Sequence, residues 1–571
     1  MFVVFEGIDG SGKTTLSNQV AARLRASGLM VEHVRADGKF ASSVAEAIRT
    51  LCRDARNLQL HPKAEFLLYL ARELQTAEEI LKPALARHDV VLADRFFSTA
   101  EVLAGAGRHL PSAWTTPVLQ TVTSEVVPDM LVLVDVDPTL ARARRKAHKL
   151  AVADLRPPSR RGLAGVGLQH RLRAGYLALA RDAPERWAIV DNDSDLAETV
   201  SRVSDLIEHA LRAGVQTSLE RFRKRVTNSH APKRRTPGPR SMAEALTAFV
   251  AWLDQRASEP RVAAYMLSGL CGPGVDALRE SLAPRVPEAV LAGLIGLVDG
   301  VSWQIRQRLK ADHPGWVARS LLGVSNRDEH ASALRAELMS TIPEQVLTSL
   351  AAQDDEWAWS MRQQWFDAQP HAVMRSLRGL GAERAWELRE RWLHANAAQL
   401  GSEYECARVA AATISGLADE RAWRVRDAIW PAAPVAALGS IAGLTCTRSW
   451  QLREQHLSRA PKAVMASLRS MRDEQAWSMR RTVAADCKEA LDSIPELDEP
   501  AAWELRYHYA DVWPSTAVKT LGCLAGTLRG QAFVERQLRA HPRNISLLKH
   551  AAGLALGVHQ VAPTNLEPEP T

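Results

Sequence analysis

A chain of 571 residues is too long for one hydrophobic core, so two or more domains are expected. Its 46% hydrophobic and 24% charged residues are ordinary for a soluble globular protein and exclude a disordered or fibrous class. The formal net charge of +7 is modest for this length, so nucleic acid is not expected as a partner.

Six cysteines (52, 271, 406, 446, 487 and 523) are scattered without a C-x-x-C pair, which fits free thiols in a reducing compartment rather than a zinc site or disulfide frame. No apolar run reaches the ~18 residues of a membrane helix, and the first motif starts too close to Met1 to leave room for a signal peptide. The expectation is a cytoplasmic protein with no membrane contact.

The first predicted strand, Phe2–Phe5, runs into Gly7-Ile8-Asp9-Gly10-Ser11-Gly12-Lys13-Thr14-Thr15, which holds the pattern G-x-x-x-x-G-K-T. Leu16, Val20 and Leu24 then mark one face of a helix. Strand, glycine loop and helix together are the context of a phosphate-binding loop. Glycines at 7, 10 and 12 let the backbone curl so that N–H groups point at phosphate oxygens, helped by the positive end of the helix dipole. Lys13 is placed to reach the β- and γ-phosphates of ATP, and the Thr14 hydroxyl to hold Mg²⁺.

Further strands are predicted at Val31–Arg35, Val90–Ala93, Met130–Val136 and Trp187–Val190, with helical patterns such as Lys63–Ala86 and Leu196–Arg212 between them. This alternation predicts an α/β domain over 1–212, a parallel sheet wrapped by helices. Asp94 and Arg95 follow the third strand, at the end of the sheet where such folds build their sites. Asp94 is suited to Mg²⁺ or its waters, and Arg95 to the acceptor phosphate, with Arg49 a second clamp. Arginines 142, 144, 145, 156, 160 and 161, broken by Pro157 and Pro158, suggest a flap, with Arg156, Arg160 and Arg161 at its tip.

Residues 213–240 hold eight lysines and arginines and three prolines and are expected to be a basic linker. From 241 to 557 a phrase of the form W-x-[LMVI]-R recurs, ending in Arg306, Arg362, Arg389, Arg426, Arg453, Arg480 and Arg506, with weaker copies at Arg279, Arg335 and Arg536. Several steps are 27 residues, and prolines at 260, 287, 314, 343, 370, 434, 461 and 514 keep a similar beat. Each proline opens a P-x-x-[VA]-x-x-x-L segment, suited to a first helical turn. The expected unit is a pair of short helices, about ten of which stack into an all-α, HEAT-like solenoid. Fourteen of the sixteen tryptophans lie here, which favours packing. The repeated arginine has two readings: a positive line for an acidic chain, or a lock between repeats through acidic neighbours or helix C-terminal carbonyls. The Pro- and Glu-rich tail, 558–571, is expected to be disordered.

The first ~210 residues resemble the thymidylate kinase family. The resemblance rests on FEGIDGSGKTT with Asp9, Arg35, the helix Glu46-Ala47-Ile48-Arg49, and Leu67-Leu68-Tyr69-Leu70-Ala71-Arg72 leading to Lys82-Pro83. It continues in Ala93-Asp94-Arg95-Phe96, Pro128-Asp129 with Asp135-Val136-Asp137-Pro138, and Arg171-Leu172-Arg173-Ala174-Gly175-Tyr176. The resemblance implies that Asp9 contacts a nucleotide 3′-hydroxyl and that Tyr69 stacks on the acceptor base. Arg72 is the candidate base-reading arginine, although a gapless alignment to Lys82-Pro83 puts Glu73 at that place. The family's Tyr-Gln pair after the aspartate–arginine motif, and its D-R-x-E lid signature, are absent.

The resulting expectation is an ATP- and Mg²⁺-dependent nucleoside monophosphate kinase, with dTMP the default acceptor, fused to a repeat domain that binds a protein partner. The alternative is a nucleotide-binding switch or scaffold whose divergent kinase domain regulates the solenoid. A homodimer is left open.

Overall fold

The computed structural model describes residues 1–36, 38–123, 125–151, 165–192, 196–229, 238–256 and 258–557. These fall into two compact units: the first takes in Met1–Arg145 and 158–237, and the second takes in 146–157 and everything from Gly238 on.

The first unit is built on five parallel strands: β1 (Phe2–Glu6), β2 (Val31–Val34), β3 (Val90–Asp94), β4 (Met130–Asp135) and β5 (Trp187–Asp191). Their order in the sheet is β2-β3-β1-β4-β5. All five predicted strands are present, with ends shifted by one residue. The apolar runs of β1, β3 and β4 are buried on both faces, as a parallel sheet covered by helices requires. Helix α1 (Lys13–Ala26) buries Leu16, Val20 and Leu24 against Val3, Phe5 and the neighbouring strands. The pairing of Phe5 with Asp94 brings the ends of β1 and β3 together at the central crevice. Helices α2 (Ser43–Arg53) and α3 (Pro62–Thr76) follow β2. The predicted helix 63–86 is interrupted: after α3 the chain makes a π-helical turn, Ala77–Leu81, before Lys82–Leu85.

The stretch read as a basic linker differs from that reading. Val215–Ser229 is a helix, and its Leu219 and Phe222 join the core of the first unit. Residues 230–237, like the tail 558–571, lie outside the described residues.

The second unit is all helical. Short helices opening with proline, such as Pro343–Ser349, Pro370–Ser376 and Pro461–Ser467, alternate with longer ones carrying tryptophan, such as Glu356–Trp365 and Thr447–His456. Successive short helices stack on one another. Where the proline beat lapses, Tyr404–Thr413 and Glu489–Asp492 take the place of the short helix.

The repeated arginines do not form a surface line. Arg306, Arg335, Arg362, Arg389, Arg453, Arg480 and Arg506 are fully buried, and Arg279 and Arg426 are 2% exposed. Arg362 shows the pattern. Its Nη2 donates to Leu350 O (2.9 Å) and Gln353 O (2.7 Å) past the end of the preceding short helix. Its Nε donates to Ser376 Oγ (2.9 Å), and Nη2 also reaches Ser376 O (3.1 Å), at the end of the following one. One cation thus caps two helix C-termini, satisfying orphan carbonyls at the negative ends of two dipoles. The serine or threonine closing the next short helix is part of the motif, as at Ser320, Ser440 and Thr520. Arg536, read as a weak copy, is exposed and outside this pattern.

The tryptophans of the recurring phrase are interior, as expected, and Trp359, Trp386, Trp423 and Trp503 each lie between two guanidinium groups. Trp386 has Arg389 of its own helix at 4.9 Å and Arg421 of the next repeat at 4.4 Å. Trp359 has Arg362 at 4.7 Å and Arg384 at 4.0 Å.

Candidate active site

The loop after β1 keeps the backbone that the glycine spacing predicts. Gly10 and Gly12 have φ of 87° and 93°, in the left-handed region. A Cβ on Gly10 would meet Ala141 O at 2.3 Å, and one on Gly12 would meet Asn192 Nδ2 at 2.4 Å. Gly7 is equally enclosed, its Cβ position lying 2.5 Å from Val134 O. Asn192, directly after β5, donates to Ser11 O at 2.6 Å, and Arg144 donates to Asn192 O at 3.0 Å.

Lys13 is 5% exposed and folds back over the loop, donating to Ile8 O at 2.8 Å, with Ser11 Oγ at 3.5 Å. Burial, and then Arg95, pull its amine down to about 8, against the opposing pull of Asp94, Asp9 and Glu6. The Thr14 hydroxyl donates to Asp94 Oδ2 at 2.5 Å. Asp94 Oδ1 is buried and has no partner among the described residues. Burial opposes the ionised form of Asp94, yet Lys13, Arg35 and Arg95 hold it below the ordinary carboxylate value. A hydroxyl beside an ionised carboxylate with one oxygen to spare fits a hard divalent cation such as Mg²⁺. Thr15 is exposed on the first turn of α1.

Arg95 takes φ 75°, a left-handed conformation uncommon for a non-glycine residue. This turns its guanidinium back over the loop. Nη1 donates to Gly7 O (2.9 Å) and Tyr176 OH (3.2 Å), and Nη2 to Asp9 Oδ1 (2.5 Å). Burial opposes its charge, but the Tyr176 oxygen and the carboxylates of Asp9, Glu6 and Asp94 outweigh it and push the group above its ordinary value.

Beneath Arg95 lies Glu6, a residue the sequence reading missed. It is fully buried and accepts from Phe96 N (3.0 Å), Thr99 Oγ1 (2.8 Å) and Tyr176 OH (3.0 Å). Burial pushes its carboxyl up, against the pull of Arg95 and those hydrogen bonds. The only local signal was an acid at the end of an apolar strand.

The acceptor-side candidates are placed differently. Arg49 is bound to Glu46 at 2.6 Å, its only ion-pair partner among the described residues. Tyr69 and Arg72 lie on the buried face of α3, with Arg72 4.2 Å over the Tyr69 ring. Arg72 also donates to the carboxylate of Glu73, the residue that occupies the alternative alignment place. Of the arginine flap, Arg145 is within the described residues, its Cγ 2.9 Å from the position a Gly10 Cβ would take. Arg156, Arg160 and Arg161 lie outside them.

Comparison with known proteins agrees with this geometry. The family model described as thymidylate kinase matches residues 5–203. A thymidylate kinase of Solidesulfovibrio magneticus is 34% identical over 191 residues, which cover 34% of this chain and 90% of that protein. The chain belongs to the thymidylate kinase family. Another thymidylate kinase, from Geobacter sp. strain M21, is 36% identical over 218 residues, covering 38% of this chain and 93% of that protein. One from Deinococcus radiodurans is 35% identical over 197 residues, covering 34% and 88%. Among solved structures, the thymidylate kinase of Ehrlichia chaffeensis is 23% identical, covers 36% of this chain and 98% of that one, and has a TM-score of 0.27. The first unit is therefore a phosphotransferase domain of the thymidylate kinase family.

Proposed function

We propose that the first unit moves the γ-phosphoryl group of ATP onto a nucleoside monophosphate, with dTMP the default acceptor, to give dTDP and ADP. The observation that carries this reading is the convergence of Lys13, Thr14, Asp94 and Arg95 on one glycine loop at the ends of β1 and β3. Such transfer asks little covalent chemistry of the protein; it asks for alignment and for cations around the moving group.

An acceptor phosphate oxygen bonds to the γ-phosphorus as the bond to the β–γ bridging oxygen breaks. The loop N–H groups bind the ATP phosphates, and Lys13 leaves Ile8 O to meet the β- and γ-oxygens. Arg95 aligns the acceptor phosphate, and Asp9 serves the acceptor sugar. Thr14 and Asp94 would hold Mg²⁺, which would supply positive charge to offset that of the phosphates. Glu6 acts through Arg95 as a positioning residue. The reading implies a cytoplasmic enzyme whose second unit binds a protein partner.

A coupled assay of the full chain across all ribo- and deoxynucleoside monophosphates tests it. ATP-dependent diphosphate formation with dTMP among the best acceptors is expected; no turnover of any monophosphate would remove the reading. The second reading, a nucleotide-binding switch, has one observation in its favour: Tyr69 and Arg72 are 2% and 5% exposed, so the acceptor side is filled by the chain itself.

A further inference from the structure

The ends of β2 and β3 form one side of the crevice in which sheets of this kind bind ligands. There the chain has put one of its own side chains. Phe40 is 9% exposed, and its ring lies between two guanidinium groups, Arg35 at 4.4 Å and Arg72 at 4.9 Å. Arg72 in turn covers Tyr69 at 4.2 Å, so four flat groups stack in the order Arg35, Phe40, Arg72, Tyr69. Guanidinium planes receive any flat π face, a heterocycle as readily as a phenyl ring. The stack is joined to the phosphate loop, because Arg35 Nη2 donates to Arg95 O at 3.2 Å and Arg95 grips Asp9.

The neighbouring carboxylate is incomplete. Glu73 is 1% exposed, and its Oε1 takes the hydrogen bonds of Arg72, with Arg35 Nη1 at 3.7 Å. Its Oε2 is buried with no partner among the described residues. Buried polar atoms are as a rule satisfied, so one beside a binding crevice marks a missing donor. Phe40 has no donor on its ring. A nucleobase has both the flat face and an N–H at its edge.

Phe40 follows two residues with left-handed backbone. Arg35 and Gly38 have φ of 68° and 74°, and the former is costly for a non-glycine residue. The Phe40 N–H donates to Glu46 Oε2 over a long 3.3 Å.

We propose that Phe40 stands in for a nucleobase and closes the acceptor site. A nucleoside monophosphate binds by displacing this ring, stacking its base on the Arg72–Tyr69 pair and giving a base N–H to Glu73 Oε2. Phe40 is then the gate of the site and Glu73 its reader, and the acceptor must carry an N–H at its base edge, as thymine does at N3 and cytosine at N4. The proposal rests on the kinase reading for the identity of the acceptor.

Calorimetric titration of dTMP into the full chain tests it apart from turnover. Phe40→Ala is expected to tighten dTMP at least fivefold and Phe40→Leu at least twofold, with ATP affinity within twofold of the parent. Glu73→Gln is expected to weaken dTMP about tenfold. If Phe40→Ala is poorly folded, Phe40→Leu decides. Unchanged or weaker dTMP binding in a folded Phe40 variant, or no dTMP binding by any form, overturns the proposal. Tightened binding without phosphoryl transfer sustains the gate and sinks the kinase reading; transfer with no effect of Phe40 does the reverse.

Discussion

Thr14 and Asp94, 80 residues apart in sequence, share a hydrogen bond that joins the start of α1 to the end of β3. The bond uses one carboxylate oxygen and leaves the other buried with no partner among the described residues. It ties the residue proposed to hold Mg²⁺ to the strand that carries Arg95.

Asp94→Asn keeps the shape of this pair and removes its charge. The expected outcome is a fall in kcat of about 10²- to 10³-fold, comparable to losing one electrostatic stabiliser of a transition state, with the fold retained. Steady-state kinetics across a Mg²⁺ series, with circular dichroism of the variant, checks it. An unchanged kcat would separate Asp94 from the chemistry.

Lys13 gives the enzyme an alkaline limit. Its amine is pulled down to about 8, so it is cationic below that pH and neutral above it. Because the proposed role needs the cation, kcat/KM for ATP should fall as pH rises through 8, while kcat, measured with phosphates bound beside the amine, should hold to higher pH. A pH profile from 6 to 10 reads both.

His33 should set an acid limit on the stability of the first unit. Its ring is 7% exposed, and both nitrogens lack partners among the described residues. Burial pulls it down to about 4, with Arg25 and Arg35 adding to the effect and Asp94 opposing it. The unfolded chain, at the ordinary value of 6.5, binds the proton first. Stability present above pH 6.5 is therefore lost as pH falls towards 4, by about 3 kcal/mol for a shift of that size. His33→Phe should flatten that part of the unfolding profile.

The buried cations of the second unit predict a sharp contrast. Arg389 donates to Leu377 O, Leu380 O and Thr413 O, and its removal takes a donor from each, leaving Leu377 O with the Leu380 N–H. Arg389→Ala and Trp386→Ala should each cost about 3 to 5 kcal/mol and loosen neighbouring repeats. Arg536→Ala, at an exposed site, should change stability by less than ~0.5 kcal/mol. Thermal unfolding of the three variants measures the difference.

The strands and glycine loop were legible because their signals are local: apolar runs, and glycines at fixed offsets. The all-helical second unit was legible because a recurring arginine, and in most places a proline, punctuates its helices. The serine or threonine completing each arginine site was hidden, since it commonly lies 14 residues on in another helix. Glu6 was hidden for the same reason, its partners standing 90, 93 and 170 residues away. Helix Val215–Ser229 was masked by its basic residues, which outnumber the apolar side chains that dock it, Val215, Leu219 and Phe222. The burial of Tyr69 and Arg72 depends on Phe40 arriving from another loop, which no spacing within α3 reveals.

The most direct test follows the phosphorus atom itself. The full chain is given ATP labelled at the γ-phosphate together with dTMP, and the products are separated. Label in dTDP, lost when Lys13 is replaced by alanine, is the predicted result. Label released only as inorganic phosphate, with dTMP unchanged, would contradict the account and leave a nucleotide-hydrolysing switch in its place.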